Sequence, residues 1–166
     1  MNEKFSAVLI PIVDSEEPFV LLTQRNLTLG EYPGQICLPG GRVEAGETFQ
    51  EAALREFSEE LGVAESVTLL GALPSQMTST GYTVYPFYGL VSGTCQFQPS
   101  HAEVSSLIHL PLSQVLNVAS YVKNTDPSCK IVRHGYCLRH ETHFIWGVTA
   151  TILKTFAERC SGASLF

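Results

Sequence analysis

At 166 residues the chain has room for one domain with a true core and too little for two, and no linker or repeat suggests a boundary, so one domain over 1–166 is expected. Apolar residues make up 45% and charged residues 16%, which excludes a disordered chain, and 13 Gly and 9 Pro without a period exclude a collagen-like one. A formal charge of −6 disfavours a nucleic-acid partner, because binding a phosphate backbone requires a basic face.

In chain order, residues 5–13 and 18–24 are two β-branched, apolar runs separated by Asp14 to Glu17, and read as paired strands. The run Ala7 to Val13 contains Pro11 and is far shorter than the roughly twenty residues that cross a bilayer, so no membrane partner is expected. It has no small-residue cleavage site, and Asp14, Glu16 and Glu17 follow at once, unlike a secretory leader. A Gly/Pro-rich loop from Gly30 to Gly41 is broken by the short run Gln35 to Leu38. Thr48 and Glu51 form a capping box that opens an amphipathic helix over 48–61, and Gly62 supplies its stop. Strands are expected at 66–72, 83–91 and 104–110, then a short helix from Leu112 to Asn117. A last helix starts near Gly147, with Val148, Ile152 and Phe156 four apart. Strands mixed with two substantial helices indicate an α/β or α+β sandwich. The five cysteines are odd in number and show no CxxC spacing, so single buried thiols in a reducing, cytoplasmic compartment are expected.

The chemistry concentrates on the helix over 48–61. At about 100° per residue, with Glu56 at zero, Glu59 falls near −60° and Glu60 near +40°. Three carboxylates therefore share one face, while Leu54, Phe57 and Leu61 form a separate apolar stripe that can meet a core. Ala52 and Ala53 flank the acidic face and are expected to leave room for a ligand. Like charges at these spacings weaken an isolated helix, so a solvated acidic face is the plain alternative. Gly40-Gly41, Glu47 and Arg55 nearby favour a different reading. Clustered carboxylates with a backbone carbonyl suit a hard cation such as Mg²⁺, completed by water and substrate phosphates. A single arginine among glutamates can fix one of them through a bidentate pair.

Gly41-Arg-Val-Glu-Ala-Gly-Glu47, seven residues, then Arg55-Glu56-Phe57-Ser58-Glu59-Glu60-Leu61-Gly62-Val63 resembles the Nudix box at each fixed position. A chance match in a chain of this length is on the order of one in 10⁷. The resemblance implies an α/β/α sandwich with a mixed β-sheet, and hydrolysis of a nucleoside diphosphate linked to another moiety. It implies Mg²⁺ or Mn²⁺ held by Glu56, Glu59 and Glu60 with the Gly41 carbonyl, Glu47 in support and Arg55 orienting the carboxylates. The base would be Glu59 or Glu60, or a loop glutamate, for which Glu103 stands in the matching region.

Leu21-Leu-Thr-Gln-Arg25, Gly34-Gln-Ile-Cys-Leu-Pro-Gly-Gly41, Thr80-Gly-Tyr-Thr-Val-Tyr-Pro-Phe87 and Phe144-Ile-Trp-Gly-Val-Thr-Ala150 are similar to the coenzyme A pyrophosphatase subfamily. That likeness implies cleavage of coenzyme A or its derivatives into phosphopantetheine and 3′,5′-ADP. Three positions depart from it: Asn26 stands for Ser, Gly30 for a basic residue and Leu38 for Phe. The alternatives are the same chemistry on ADP-ribose, NADH or another nucleoside diphosphate derivative, and a non-catalytic nucleotide-sensing module.

Arg25 and Arg42 flank the loop leading into the box and are candidates for contacting substrate phosphates. Tyr32, Tyr82 and Phe87 are expected in the core rather than stacked on a base. His140-Glu-Thr-His143 is not HExxH and reads as a strand, so no zinc site is expected. Trp146-Gly147 reads as core packing at a strand-to-helix turn. Low charge content leaves spare apolar surface, which makes a homodimer a further expectation.

Overall fold

The computed structural model describes residues 3–30, 32–63, 67–123 and 135–162. The first run forms β1 (Lys4–Asp14), which lies parallel to β7 (Tyr82–Ser92) along its whole length, from Lys4 opposite Tyr82 to Asp14 opposite Ser92. β2 (Phe19–Arg25) returns antiparallel to β1 and then carries β8 (Val104–Pro111) on its other edge. β5 (Thr68–Ala72) and β6 (Gln76–Met77) both pair antiparallel to β7. The sheet is therefore mixed.

β1 and β2 stay paired only near their hairpin, at Ile12–Val20 and Val13–Phe19. Below that point they part, and the segment between them fills the gap. β3 (Ile36–Cys37) pairs with β2, and β4 (Gly40–Arg42) pairs with β1. The Gly/Pro-rich stretch expected to be loop up to Gly41 thus ends inside the sheet. Pro11, unusual in a central strand, sits where β1 changes partner. Leu9 donates its N–H to Pro39 O at 2.9 Å, and an N–H two residues on would point to the same side, into the split. No ladder bond is lost there.

Helices cover both faces of the sheet. Period-two alternation sends Leu9 and Val13 of β1 to α1 (Phe49–Leu61), where they pack with Phe57 and Leu61. Ile10 and Ile12 point the other way, to Ile152, Leu153 and Phe156 of α3 (Gly147–Ser161). Truncating a buried anchor such as Phe57 to Ala costs about 3–5 kcal/mol. The capping box is present as read: Glu51 N–H donates to Thr48 Oγ1 at 3.1 Å, Thr48 N–H to Glu51 Oε2 at 2.8 Å, and Gly62 closes the helix at φ +62°.

Two expectations about α1 need correction. Ala52 and Ala53 do not open space for a ligand; they are fully buried against Ala7, and their small size lets the helix lie close on β1. Leu54 is only half-buried, so the core stripe runs through Ala53, Phe57 and Leu61 and shares its side of the helix with Glu60.

The chain continues from β8 through the short helix α2 (Leu112–Val115) and a single 3-10 turn. β9 (Val122–Lys123), β10 (Tyr136–His140) and β11 (His143–Trp146) make a second, three-stranded sheet that leads into α3. The His140–His143 stretch is the turn between β10 and β11, with Glu141 at φ +54°, rather than one strand. Cys37, Cys95, Cys137 and Cys160 form no disulfide and are partly, not fully, buried; Cys129 lies outside the described residues. No described helix is long and apolar enough to cross a membrane.

Candidate active site

The split between β1 and β2 opens into a cleft of about 910 Å³. Glu56 and Glu60 of α1 line one wall beside Gly40 and Gly41 of β4. Both glycines are required by close approach. A Cβ on Gly41 would run into the Glu56 carboxylate, and one on Gly40 would collide with the Ala7 carbonyl. The Gly40 N–H donates to Glu60 Oε1 at 3.2 Å.

Arg55 organises the rest. Its Nε and Nη2 hold Glu47 Oε2 and Oε1 at 3.0 and 2.8 Å, and Nη1 reaches Glu56 Oε1 at 3.0 Å and Glu59 Oε2 at 3.2 Å. Nη2 also donates to the Arg42 carbonyl at 3.0 Å, tying α1 to the end of β4. Glu47 in turn accepts the Glu44 N–H at 2.8 Å. These bonds hold the Glu47 carboxyl at about 2, chiefly through the Arg55 guanidinium, and raise Arg55 above its usual value.

The three box carboxylates are not equivalent. The Glu56 side chain is 18% exposed and that of Glu59 61%. Burial raises Glu56, opposed mainly by Arg55, and pushes Glu60 up to about 8, with the charges of Glu56 and Glu103 adding. Glu59 and Glu60 also stand in the last turn of α1, where the helix dipole disfavours anions and which itself contains no basic residue. A chain does not gain stability from this arrangement. Such local conflict is what a functional site leaves behind.

Glu103 reaches the same cleft from the turn before β8. Gln98 N–H bonds Leu61 O and Ser100 N–H bonds Glu60 O, both at 2.8 Å, so the preceding segment is pinned to the end of α1. Asn26 ties it to β2: its N–H donates to Glu103 O at 2.9 Å and its Nδ2 to His101 O at 3.0 Å. Arg25 and Arg42 line the cleft as well, and Arg42 lies 5.6 Å from the Tyr82 ring centroid. Tyr32 was expected in the core but is 44% exposed and lines the cleft, as does Tyr82; Phe87 does pack on the α1 side of the sheet. Trp146 likewise belongs to the cleft wall, at a strand-to-helix turn as expected. Gln35 and the 76–80 segment complete that wall; Gln35 and Thr80 fall in stretches already singled out by likeness, and residues 76–79 do not.

Among the described residues no three acidic, His or Cys side chains converge as a ready-made metal cage. A magnesium ion does not need one. It keeps several waters and binds through one or two carboxylates plus substrate oxygens. Two desolvated carboxylates, Glu56 and Glu60, beside a backbone held open by glycine, fit that demand. Glu59 is the more exposed and meets the same Arg55 Nη1 that holds Glu56.

A NUDIX domain model matches residues 3–128. A protein of Escherichia coli O6:H1 named uncharacterized Nudix hydrolase NudL is 37% identical over 164 residues, covering 95% of this chain and 83% of its own. A Citrobacter koseri protein of the same name is 36% identical over the same shares. Among solved structures, a C. elegans Ap4A hydrolase covers 95% of this chain and 99% of its own at TM-score 0.64 and 18% identity. The NUDIX domain of Shewanella oneidensis NrtR with ADP ribose covers 96% and 89% at TM-score 0.62 and 17% identity. These last two establish the fold alone. The chain belongs to the Nudix hydrolases.

Proposed function

We propose that this chain hydrolyses the diphosphate of coenzyme A or a derivative, giving phosphopantetheine and 3′,5′-ADP, with Mg²⁺ or Mn²⁺ at the acidic end of the cleft. The observation that carries the reading is the pair Glu56 and Glu60, desolvated beside Gly40-Gly41, with Glu56 held by Arg55 and Glu60 by the Gly40 N–H. A bound divalent cation would offset charge developing on the diphosphate and lower the pKa of an attacking water. Water adds to one phosphorus, the bridging P–O bond breaks, and the two halves leave as phosphomonoesters. Glu56 and Glu60 would hold the cation; Arg25 and Arg42, forks suited to phosphate oxygens, would bind the diphosphate. Glu103, Glu59 or Glu60 would take the proton from water. Arg55 and Glu47 keep the carboxylates in place.

The choice of coenzyme A rests on the residues Leu21–Arg25 and Gly34–Gly41 and their likeness to that subfamily. Product analysis of coenzyme A, dephospho-coenzyme A and ADP-ribose with Mg²⁺ tests it. Release of 3′,5′-ADP from coenzyme A is the expected result. Fast cleavage of ADP-ribose with coenzyme A inert would move the substrate, and no turnover of any of them would favour a sensing module.

A further inference from the structure

α1 and α3 enter the cleft from opposite faces of the sheet, and the end made by α3 has no part in the chemistry described so far. Trp146, Gly147, Val148 and Thr149 line it. β11 reaches α3 through Gly147 at φ +70°, a left-handed conformation that lets strand and helix meet in a tight corner. No side chain caps the start of this fifteen-residue helix. Its first N–H groups therefore have no intrahelical partner, and the helix dipole adds partial positive charge there.

A second observation points to a ligand. Thr149 is a polar residue only 4% exposed, yet its hydroxyl finds no hydrogen-bond partner among the described residues. The hydroxyl oxygen is not sealed from solvent, since among the described residues only His143 Nδ1 is a sealed side-chain atom without a partner. What access it has is to the cleft it lines. The Gln35 amide nitrogen lies 3.9 Å from where a Gly147 Cβ would stand, a further neutral donor at the same place. No charged side chain of α3 lines this end. Gly30, by contrast, is not a cleft residue, and space around its missing Cβ is open.

We infer that the N-terminus of α3, with Thr149 and Gln35, binds a second phosphate of the substrate, a phosphomonoester separate from the scissile diphosphate. Uncapped N–H groups, a hydroxyl and an amide supply several donors around one oxyanion, the arrangement by which helix N-termini hold phosphates without a basic side chain. The inference rests on the reading of the substrate as coenzyme A, whose 3′-phosphate is such a group. It accounts for recognition of that phosphate where Gly30 has no charge to offer.

The test is an amide NMR titration of the full chain with 3′,5′-ADP and, separately, with AMP, in the absence of metal. The Gly147, Val148 and Thr149 amides should shift with 3′,5′-ADP and stay put with AMP, and 3′,5′-ADP should bind at least about tenfold tighter. Thr149→Val should cut that ratio about three- to tenfold, Thr149→Ser should keep it, and Val148→Pro, which removes one N–H in the first turn, should lower it too. Equal binding of both nucleotides, or unmoved α3 amides, overturns the site. Hydrolysis of coenzyme A, measured in parallel, separates the two ideas. Coenzyme A cleaved with silent amides removes the phosphate site and keeps the function. Shifted amides with coenzyme A uncleaved keep an anion site and remove the substrate assignment.

Discussion

Arg55 and Glu47 meet as a two-pronged pair, with Nε to Oε2 at 3.0 Å and Nη2 to Oε1 at 2.8 Å. This grip fixes the plane of the guanidinium, and only then can Nη1 reach Glu56 and Glu59 together. A lysine at 55 would carry the charge without the fork. Arg55→Lys should therefore lower kcat about 10- to 100-fold, the usual cost of losing a group that orients metal ligands, while circular dichroism stays unchanged. Glu47→Gln should act in the same direction. Because both changes break one unit, the double variant should be little worse than Arg55→Lys alone. Additive losses in kcat would show that Glu47 works independently of Arg55.

Gly40 and Gly41 are neighbours in β4 but should respond differently to alanine. At Gly41 the new methyl meets the Glu56 carboxylate, the mobile end of a side chain, which can swing away. Gly41→Ala should keep Tm within a few degrees and lose activity by about 100-fold or more. At Gly40 the methyl meets the Ala7 carbonyl and the Val8 backbone, which cannot. Gly40→Ala should cost about 1–3 kcal/mol of stability as well as activity. Thermal melts and kcat on the same preparations distinguish the two.

Most of the main sheet could be read from the sequence because β1, β2, β7 and β8 are long enough for their apolar runs to show. α1 could be bounded because Thr48, Glu51 and Gly62 act locally. β3 and β4 could not, since a two-residue and a glycine-containing strand exist by virtue of the gap between β1 and β2, not by side-chain pattern. The angular count along α1 grouped the three carboxylates but could not tell which would be desolvated. That depends on where β4 and the 98–103 segment come to rest: Glu60 faces Gly40, and Glu59 is left to solvent and Arg55. The stretch 144–150 stood out by likeness, but its place on the cleft did not. Gly147 and Thr149 become neighbours of the box only through β11, and neither belongs to a capping motif.

The shifted carboxyls set opposite pH trends in metal-free protein. Glu60, with a folded value near 8 against an ordinary value of 4.5, binds its proton more tightly when folded. Its contribution to stability is full below about pH 4.5 and is lost as pH rises through 8. Glu47, held near 2, contributes above its ordinary 4.5, and that contribution is lost as pH falls toward 2. In EDTA, Tm should therefore decline by roughly 5 °C or more between pH 5 and 9, and Glu60→Gln should flatten the decline. Mg²⁺ should raise Tm more at pH 8.5 than at pH 6, because the cation competes with the proton. A decline unchanged in Glu60→Gln would place the titrating group elsewhere.

Glu103 is exposed, yet its charge is felt at both Glu56 and Glu60, so it faces the reacting end of the cleft. If it assists the attacking water, Glu103→Gln should lower kcat about 100-fold or more with little change in KM, the mark of an interaction confined to the transition state. Its backbone is held by Asn26, whose N–H bonds Glu103 O and whose amide bonds His101 O. Asn26→Ala deletes the amide bond, leaves the Glu103 carboxylate intact and frees the turn. The expected loss is smaller, about three- to tenfold in kcat, since the correct placement remains accessible part of the time. In the Glu103→Gln background the same change should cost almost nothing, because there is no longer a carboxylate to position. Full activity in Glu103→Gln would return the proton-accepting role to Glu59 or Glu60. A loss from Asn26→Ala that persists undiminished in Glu103→Gln would show that Asn26 serves the fold at large rather than this carboxylate.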